Sequence, residues 1–224
     1  MGEVTRMRTN LFEDKEPETL EWIDGFDEKD IFLDIGANIG VYSIYAALKK
    51  IKVISIEPDS LNYALLNINI RENNLNDLIV PYSIALNDVK KFSYFNISSL
   101  EWGGALNSFG NQLDFKGNKF NPVHKQGVFG IPLDEFLNLT ENHPNHIKID
   151  VDGNEFLILK GSEKTLKSNL LKSLLVELDE SRKDYQESLS FIKSCGLVLC
   201  EKKHSEMFNE SAYSGTYNHI FRRL

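Results

Sequence analysis

The sequence predicts an α/β fold of the Rossmann-like type, with a doubly wound, seven-stranded and mostly parallel sheet. Three observations support this prediction. Short apolar runs of strand length alternate with longer segments rich in helix formers. A glycine-containing turn at residues 36–40 directly follows the first of these runs, and acidic residues close several of the others. We also expect an antiparallel hairpin at the C-terminal edge of the sheet and an inserted β-hairpin with a lid after the third strand.

The length and composition indicate one globular domain. The chain has 224 residues, of which 42% are hydrophobic and 26% are charged. Its formal net charge of −8, without a basic cluster, argues against a nucleic-acid partner. No apolar run is long enough to span a membrane, and the polar residues 1–10 lack a signal-peptide core, so we expect a cytoplasmic location. None of these features specifies an oligomeric state.

The region before the sheet is predicted to be an extension of the single domain formed by residues 1–224. Residues 1–28 make up this extension, and residues 1–10 are expected to be disordered or tag-like. Residues 13–26 carry a helical pattern with Pro17 near its start, where a proline is well tolerated.

The nucleotide-binding half of the fold follows this extension. Ile31–Ile35 has the apolar pattern of a buried strand, residues 41–50 are rich in helix formers, and Lys52–Ile56 is a second strand with alternating β-branched residues. Residues 61–71 form the next predicted helix. Residues 78–86 are predicted to hold the third strand and the loop that contacts an adenine.

The turn after the first strand indicates which nucleotide is bound. A dinucleotide fingerprint needs a glycine where this chain has Asn38, and the carboxylate of Asp34 would repel a pyrophosphate. A carboxylate suits an ammonium and a sulfonium, which are the charged groups of S-adenosylmethionine. Glu57 lies where an acid accepts hydrogen bonds from ribose hydroxyls. We therefore predict S-adenosylmethionine as the cofactor. The residues predicted to bind it are Asp34, Gly36, Ala37, Asn38, Gly40, Glu57, Pro58 and Ala85.

The middle of the chain departs from the alternation of strand and helix. Residues 92–97 and 127–133 are predicted to pair as an antiparallel hairpin. Residues 98–126 between them are rich in glycine, asparagine and aromatic residues, and a loop of this length within a compact domain is usually functional or disordered. The aromatic residues argue against disorder, so we interpret residues 92–131 as an inserted hairpin with a substrate lid.

The second half returns to strands and helices, and its acidic residues follow the strands. Because ligands in open α/β sheets bind at the carboxyl ends of the strands, we expect Asp34, Glu57, Asp150, Asp152 and Glu177 to lie on one rim. The remaining strands are predicted within residues 146–153, 170–178, 196–201 and 217–222, and the remaining helices at residues 154–166 and 185–194.

Two blocks of sequence resemble the FkbM family of methyltransferases. Residues 32–40 with residues 55–58 are similar to motifs I and II of class I methyltransferases, and residues 147–155 with residues 159–161 are similar to the family's Lys-(Ile/Val)-Asp-(Val/Ile)-Glu-Gly-x-Glu signature. The chain has Asp152 where the family usually has glutamate, so the carboxylate is kept but its reach is shorter. The resemblance implies methyl transfer to a hydroxyl of a sugar, lipid or natural-product acceptor.

The acidic residues near the second block are the candidates for chemistry. Asp150 is the first choice for the base or the group that orients the acceptor, and Asp152, Glu155 and His124 are alternatives. Asp152 and Glu155 equally fit N-terminal capping of the next helix, and an exposed loop position is favoured for His124 over a role as base. Clustered carboxylates also suit Mg²⁺ or Ca²⁺, but the spacing of Asp150, Asp152 and Glu177 is unspecific and no metal is predicted.

Two other classes of function stay open from the sequence. An NAD-dependent oxidoreductase would use the same half-domain, but the missing middle glycine disfavours it. A non-catalytic cofactor-binding module would also keep the fold. The expected partner is a small-molecule, glycan or lipid acceptor, and neither a nucleic acid nor a membrane span is expected.

Overall fold

The structure, a computed structural model, describes residues 4–6, 15–204, 209–211 and 213–224. It contains a seven-stranded sheet and a separate four-stranded sheet. The predicted disordered start at residues 1–10 lies largely outside the described residues. Within them, no helix is long and apolar enough to cross a membrane.

The described elements include all the predicted strands of the large sheet, together with a helix at Leu133–Thr140 and a short strand at Ser108–Phe109 that are not predicted. The strands are β1 Ile31–Ile35, β2 Lys52–Ile56, β3 Ile79–Tyr82, β4 Ala85–Leu86, β5 Lys91–Ile97, β6 Ser108–Phe109, β7 His124–Ile131, β8 His146–Ile149, β9 Ser173–Asp179, β10 Val198–Lys203 and β11 Thr216–Arg222. The helices are α1 Pro17–Asp24, α2 Val41–Leu48, α3 Ser60–Glu72, α4 Leu133–Thr140, α5 Glu155–Lys160, α6 Glu163–Lys167 and α7 Tyr185–Ser194.

The large sheet has the predicted topology, with strand order β10-β11-β9-β8-β1-β2-β3. The five strands from β9 to β3 are parallel, and β11 runs antiparallel to both β9 and β10, so the antiparallel C-terminal hairpin is confirmed. Buried residues of α1, α2 and α3 pack on one face, and those of α4 to α7 pack on the other. Two covered faces make the central strands mostly apolar, and this pattern allows them to be recognised from the sequence.

Helix α1 lies along the face of the sheet that also carries α2. At one end of α1, Glu16 accepts a hydrogen bond from the Tyr42 hydroxyl at 2.7 Å. At the other end, the indole of Trp22 donates to the Ser173 hydroxyl at 2.8 Å, at the start of β9. The helix therefore brings its first residues to the carboxyl ends of the parallel strands. Its observed span, Pro17–Asp24, is shorter than the predicted residues 13–26.

The predicted helix over residues 154–166 is wrong as a single element, because it is divided into α5 and α6. Gly161 ends α5, and a Cβ at this position would overlap the carbonyl oxygen of Asn87. The chain turns at Gly161 so that it can pass this backbone, and Ser162 precedes α6.

The insertion forms a second sheet with strand order β4-β7-β5-β6. The predicted antiparallel pairing of its two long strands is observed, with Ile97 opposite His124 and Lys91 opposite Gly130. Strand β7 begins three residues earlier than the predicted start at Gly127 because the hairpin pairs as far as His124. The predicted third strand is divided, since β3 joins the large sheet and β4 pairs with β7. The insertion is thus larger than a hairpin.

A buried polar chain closes the end of the sheet opposite the acidic rim. The Trp22 indole can only donate, so the Ser173 oxygen accepts from it and the Ser173 hydroxyl donates to Nδ1 of His146. The proton of neutral His146 then lies on Nε2 and is donated to Asp30 at 2.9 Å. The ring also stacks on Phe26 with centroids 3.6 Å apart. Burial lowers the pKa of His146 to about 4, despite the opposing effect of Asp30.

This histidine predicts a pH dependence of stability. Unfolded histidine binds a proton near pH 6.5, whereas folded His146 does so near pH 4, so between these values the unfolded state holds more protons. The free energy of unfolding should therefore fall as the pH drops through this window. The glutamine in His146→Gln cannot titrate. In this variant the slope of the unfolding free energy against pH should correspond to about one proton fewer than in the parent protein. Urea unfolding of both proteins between pH 7 and 4 measures it, and equal slopes would contradict the assignment.

Candidate active site

The glycine turn joins three strands of the large sheet. The amides of Gly36 and Ala37 both donate to the carbonyl of Ile56 at 3.0 Å. Gly36 has φ +82°, and a Cβ there would overlap the carbonyl oxygen of Asp150. Gly40 has φ +88° and immediately precedes α2. Glycine is therefore required at position 36 both by the backbone conformation and by the close approach of the chain that leaves β8.

Asp34 lies beneath this turn. Its Oδ2 accepts a hydrogen bond from the Ser43 hydroxyl at 2.6 Å, and its side chain is 1% exposed. Within the described residues, its Oδ1 has no hydrogen-bond partner. Burial raises the pKa of Asp34, and Lys148 opposes this shift. A buried carboxylate oxygen without a donor is a suitable partner for a cationic or hydrogen-bonding ligand group.

Glu57 braces the turn from the end of β2. Its Oε2 accepts from the amide of Asn38 at 2.7 Å, and its Oε1 accepts from the amide of Asp59 at 2.8 Å. Each carboxylate oxygen can accept a further hydrogen bond, so the predicted ribose contact stays compatible with this geometry. The carbonyl of the following Pro58 accepts from the Gln126 side chain of the insertion.

The role of Glu57 is tested by Glu57→Gln. We expect S-adenosylhomocysteine to bind more weakly by about 1–3 kcal/mol, because a charge-assisted acceptor is lost. Calorimetric titration measures this loss. Glu72→Gln, at the exposed end of α3, is the matched control and should bind normally. An unchanged affinity in a folded Glu57→Gln protein would remove Glu57 from the ribose site.

Carboxylates from three parts of the chain meet at the ends of β8 and β9. The closest carboxylate oxygens of Glu16, Asp150 and Glu177 all lie within 4.8 Å of one another, and we assign no metal to them. A small cavity of about 40 Å³ adjoins them beside the glycine turn. Its lining residues are Lys15, Gly36, Ala37, Asn38, Val41, Tyr42, Lys148 and Asp150.

Two lysines neutralise part of this charge. Lys148 is 1% exposed and donates to Asp150 at 2.7 Å, and Lys15 pairs with Glu16 at 2.7 Å. Burial lowers the pKa of Lys148, but Asp150, Asp34 and Glu16 outweigh this effect and hold the pKa above its ordinary value. Burial likewise raises the pKa of Glu16, but Lys15 and Lys148 outweigh it and lower the pKa to about 2.

Two residues of the observed rim, Lys15 and Glu16, are not predicted from the sequence. Glu177 is predicted on the rim, but without a catalytic role. Asp150 and Glu177 are brought together as expected. The registers of β1, β8 and β9 explain this, because Asp34 pairs with Lys148 and Lys148 pairs with Leu175, which places Asp150 and Glu177 two residues further on the same face.

The other catalytic candidates lie apart from this cavity. Asp152 has φ +59°, and its Oδ2 accepts from the amide of Leu106 in the insertion at 2.6 Å. Glu155 accepts from the amide of Gly153 at 2.9 Å, and burial raises its pKa to about 7. His124 is exposed at the start of β7, and no hydrogen bond between described residues joins its side chain to the rim. The carboxylates of Asp152 and Glu155 thus accept hydrogen bonds from backbone amides of loops.

A short segment of the insertion, residues 103–107, crosses the rim. Gly103 donates to the Asn62 side chain at 2.9 Å, and the carbonyl of Gly104 accepts from the side chains of Asn38 and Asn62. The Asn107 side chain donates to Asp59 at 3.2 Å. The predicted lid is therefore attached to the turns after β1 and β2.

Ala85, which is predicted to bind the cofactor, is buried within the second sheet beside Phe95, Phe109 and Val128.

These residues fit S-adenosylmethionine by the chemistry of their donor set. The cavity lies between the glycine turn and an acidic rim, and carboxylates suit a ligand that carries an ammonium and a sulfonium. The unpartnered oxygen of Asp34 is buried at the end of β1, two residues before this turn, although Asp34 is not among the residues that line the cavity. A Rossmann-like sheet with a glycine turn after its first strand is the architecture of class I methyltransferases, and we expect the cofactor to bind beside this turn.

The chain belongs to the FkbM methyltransferase family. The family described as the methyltransferase FkbM domain matches residues 34–199, and the match confirms the resemblance seen in the sequence. A search of curated proteins found no match to this chain.

Solved structures show the same fold. The FkbM methyltransferase of Methylobacillus flagellatus KT has a TM-score of 0.59 at 17% identity, and the alignment covers 88% of this chain and 44% of that one. The chain thus spans less than half the length of that protein. Aeropyrum pernix fibrillarin, crystallised with natively bound S-adenosyl-L-methionine, has a TM-score of 0.54 at 10% identity and coverage of 92% and 74%. A SAM-dependent methyltransferase of Aquifex aeolicus has a TM-score of 0.50 at 13% identity and coverage of 99% and 97%.

The family match and these structures together confirm S-adenosylmethionine as the cofactor predicted from the sequence. The individual cofactor-binding and catalytic residues stay predictions, as does the cytoplasmic location.

Proposed function

We propose that this chain transfers a methyl group from S-adenosylmethionine to a hydroxyl oxygen of a small polar acceptor, such as a sugar, a lipid headgroup or a natural product. The observation that supports the proposal is the group of three carboxylates, Glu16, Asp150 and Glu177, beside the glycine turn. A hydroxyl must lose its proton as it is methylated, and carboxylates at the reaction site are suitable proton acceptors.

The residues of the rim have separable tasks in this reaction. When bound, the cofactor supplies an electrophilic methyl group on its sulfonium. Glu57 and the turn at residues 36–40 hold the cofactor, so that the acceptor oxygen can approach the methyl carbon in line with the bond that breaks. Asp150, fixed by Lys148, accepts a hydrogen bond from the acceptor hydroxyl and orients it. The segment at residues 103–107 covers part of the rim and limits the access of water.

The charges near the site favour a neutral, hydroxyl-rich acceptor over a polyanion. The chain carries a formal charge of −8, and both lysines beside the cavity are paired with carboxylates of the rim. An RNA backbone or another polyphosphate would meet repulsion there. The oxidoreductase alternative receives no support from the family match. A non-catalytic binding module would have the same cofactor site. A measurement of turnover distinguishes it from an enzyme.

Two measurements test the proposal. Calorimetric titration with S-adenosylhomocysteine should give binding to a single site. Incubation with methyl-deuterated S-adenosylmethionine and a panel of monosaccharides, glycolipid headgroups, amines and carboxylic acids should then transfer the label to hydroxyl compounds. Mass spectrometry detects the transfer. Absence of cofactor binding would refute the proposal, and label found on amines alone would refute transfer to oxygen.

A further inference from the structure

In the part of the chain that the structure describes, the rim contains three carboxylates and two lysines paired with them. Asp150 is paired with Lys148, and Glu16 is paired with Lys15, each at 2.7 Å. Within the described residues, the Glu177 carboxyl takes part in no hydrogen bond or ion pair. Its oxygen nevertheless lies within 4.8 Å of those of both other acids. The third carboxylate therefore faces two fixed negative charges without a cation of its own.

The surroundings of Glu177 add to this imbalance. The neighbouring strand β11 places a neutral residue, Asn218, in register with it, and the Asn218 amide is already bonded to Glu18. The start of α1 and the loop after β8 supply one positive and three negative groups around it. The charged groups that act on Glu177 are Lys15, Glu16, Asp150 and Asp152.

We propose that Glu177 carries a proton in the resting protein, releases it when the sulfonium of S-adenosylmethionine binds, and then accepts the proton of the acceptor hydroxyl. This inference rests on the proposed function, and it assigns the proton-accepting role to Glu177 rather than Asp150. Two carboxylates this close cannot both stay ionised without a compensating charge, and a sulfonium beside the rim supplies that charge.

Geometry distinguishes Glu177 from its neighbours. Asp150 gives one oxygen to the Lys148 ammonium, and Glu16 is bonded to both Lys15 and the Tyr42 hydroxyl. Each therefore has a cation bonded to it without a ligand, whereas among the described residues no cation is bonded to Glu177. Burial raises the pKa of Glu177 well above its ordinary value, and Asp150 and Glu16 raise it further.

The proposed cycle balances in atoms and charge. On cofactor binding, Glu177 loses its proton to solvent and becomes a carboxylate. In the transfer step, the acceptor oxygen forms a bond to the methyl carbon while the carbon–sulfur bond breaks, and the electron pair of that bond stays on sulfur. The hydroxyl proton moves to Glu177. The sulfur no longer carries a positive charge after the transfer. Glu177 therefore keeps the proton and is protonated when the products leave. One proton reaches solvent in each turnover, at the binding step.

Proton release on binding tests the proposal without turnover. Calorimetric titrations at pH 7 in three buffers with different ionisation enthalpies give the number of protons released per cofactor bound. For S-adenosylmethionine we expect about one proton. For S-adenosylhomocysteine, which lacks the sulfonium, the release should be smaller by about twofold or more. In Glu177→Gln the release with S-adenosylmethionine should disappear, while S-adenosylhomocysteine still binds and shows that the variant is folded.

The control is Glu187→Gln on the exposed side of α7, which should release protons like the parent protein. Equal release with the two ligands would overturn the proposal. So would release that persists in Glu177→Gln, because the proton would then come from another buried acid such as Asp34. If the ligands bind but give either of these results, the proposed methyltransferase function is still supported and only the role of Glu177 is refuted. If neither ligand binds to the parent protein, the methyltransferase function itself is refuted.

Discussion

Replacing Lys148 by methionine is expected to lower the free energy of unfolding by about 3–5 kcal/mol, because it leaves buried carboxylates without their cation. The Lys148 side chain is 1% exposed, and it donates to Asp150 while acting on Asp34 and Glu16 through space. Methionine keeps most of the volume of the side chain. The decrease in the free energy of unfolding therefore measures the effect of the missing charge and not that of a cavity. Urea unfolding at pH 7 measures it.

The matched control is Lys167→Met. Lys167 is also paired with an acid, Glu163, but both side chains are 53% exposed. An exposed pair of this kind contributes about 0.3–0.5 kcal/mol, so this variant should be close to the parent protein. Similar losses in the two variants would show that Lys148 has no special role in holding the rim. Lys148→Met should also become more stable relative to the parent as the pH falls, because its unpaired carboxylates become protonated.

The central strands could be predicted from the sequence because their signal is local. β1 and β2 begin and end where their apolar runs do, since both faces of these strands are covered by helices. The turn between them was equally readable, because Gly36 and Gly40 both adopt the positive φ angles that favour glycine. The acids at the strand ends followed from topology alone.

The second sheet could not be predicted in full, because two of its strands contain two residues each. Ala85–Leu86 and Ser108–Phe109 carry too short a pattern to be recognised, and their pairing with β7 and β5 depends on the tertiary fold. The break at Gly161 also depends on a distant contact, the backbone of Asn87. Local propensity contains no information about either feature.

The missing members of the site have the same explanation. Lys15 and Glu16 stand before a proline at the start of a helix, and their approach to the rim depends on how α1 lies across the sheet. Lys148 did carry a usable signal. A lysine within a four-residue strand whose residues are all buried must have an acidic partner. Lys148 lies in register with Asp34 of β1, which is one such acid.

Gly36→Ala should destabilise the protein by more than about 4 kcal/mol and abolish binding of S-adenosylhomocysteine. Two effects combine at this position. Its φ of +82° lies in the left-handed region, where an L-residue costs about 1–2 kcal/mol. In addition, the new methyl group would overlap the carbonyl oxygen of Asp150, which is backbone and cannot rotate away. The turn after β1 would have to separate from the loop after β8, and residues of both segments line the cavity.

Gly117→Ala separates the two effects. Gly117 has nearly the same φ, +83°, but a Cβ there meets no atom within 4 Å. This variant should therefore lose about 1–2 kcal/mol from backbone strain alone and keep full cofactor affinity. Thermal unfolding and calorimetric titration of both variants give the comparison. If Gly36→Ala were no less stable than Gly117→Ala, the contact between the turn and the Asp150 carbonyl would not be rigid. If it were unstable yet bound the cofactor normally, the turn would not form the cofactor site.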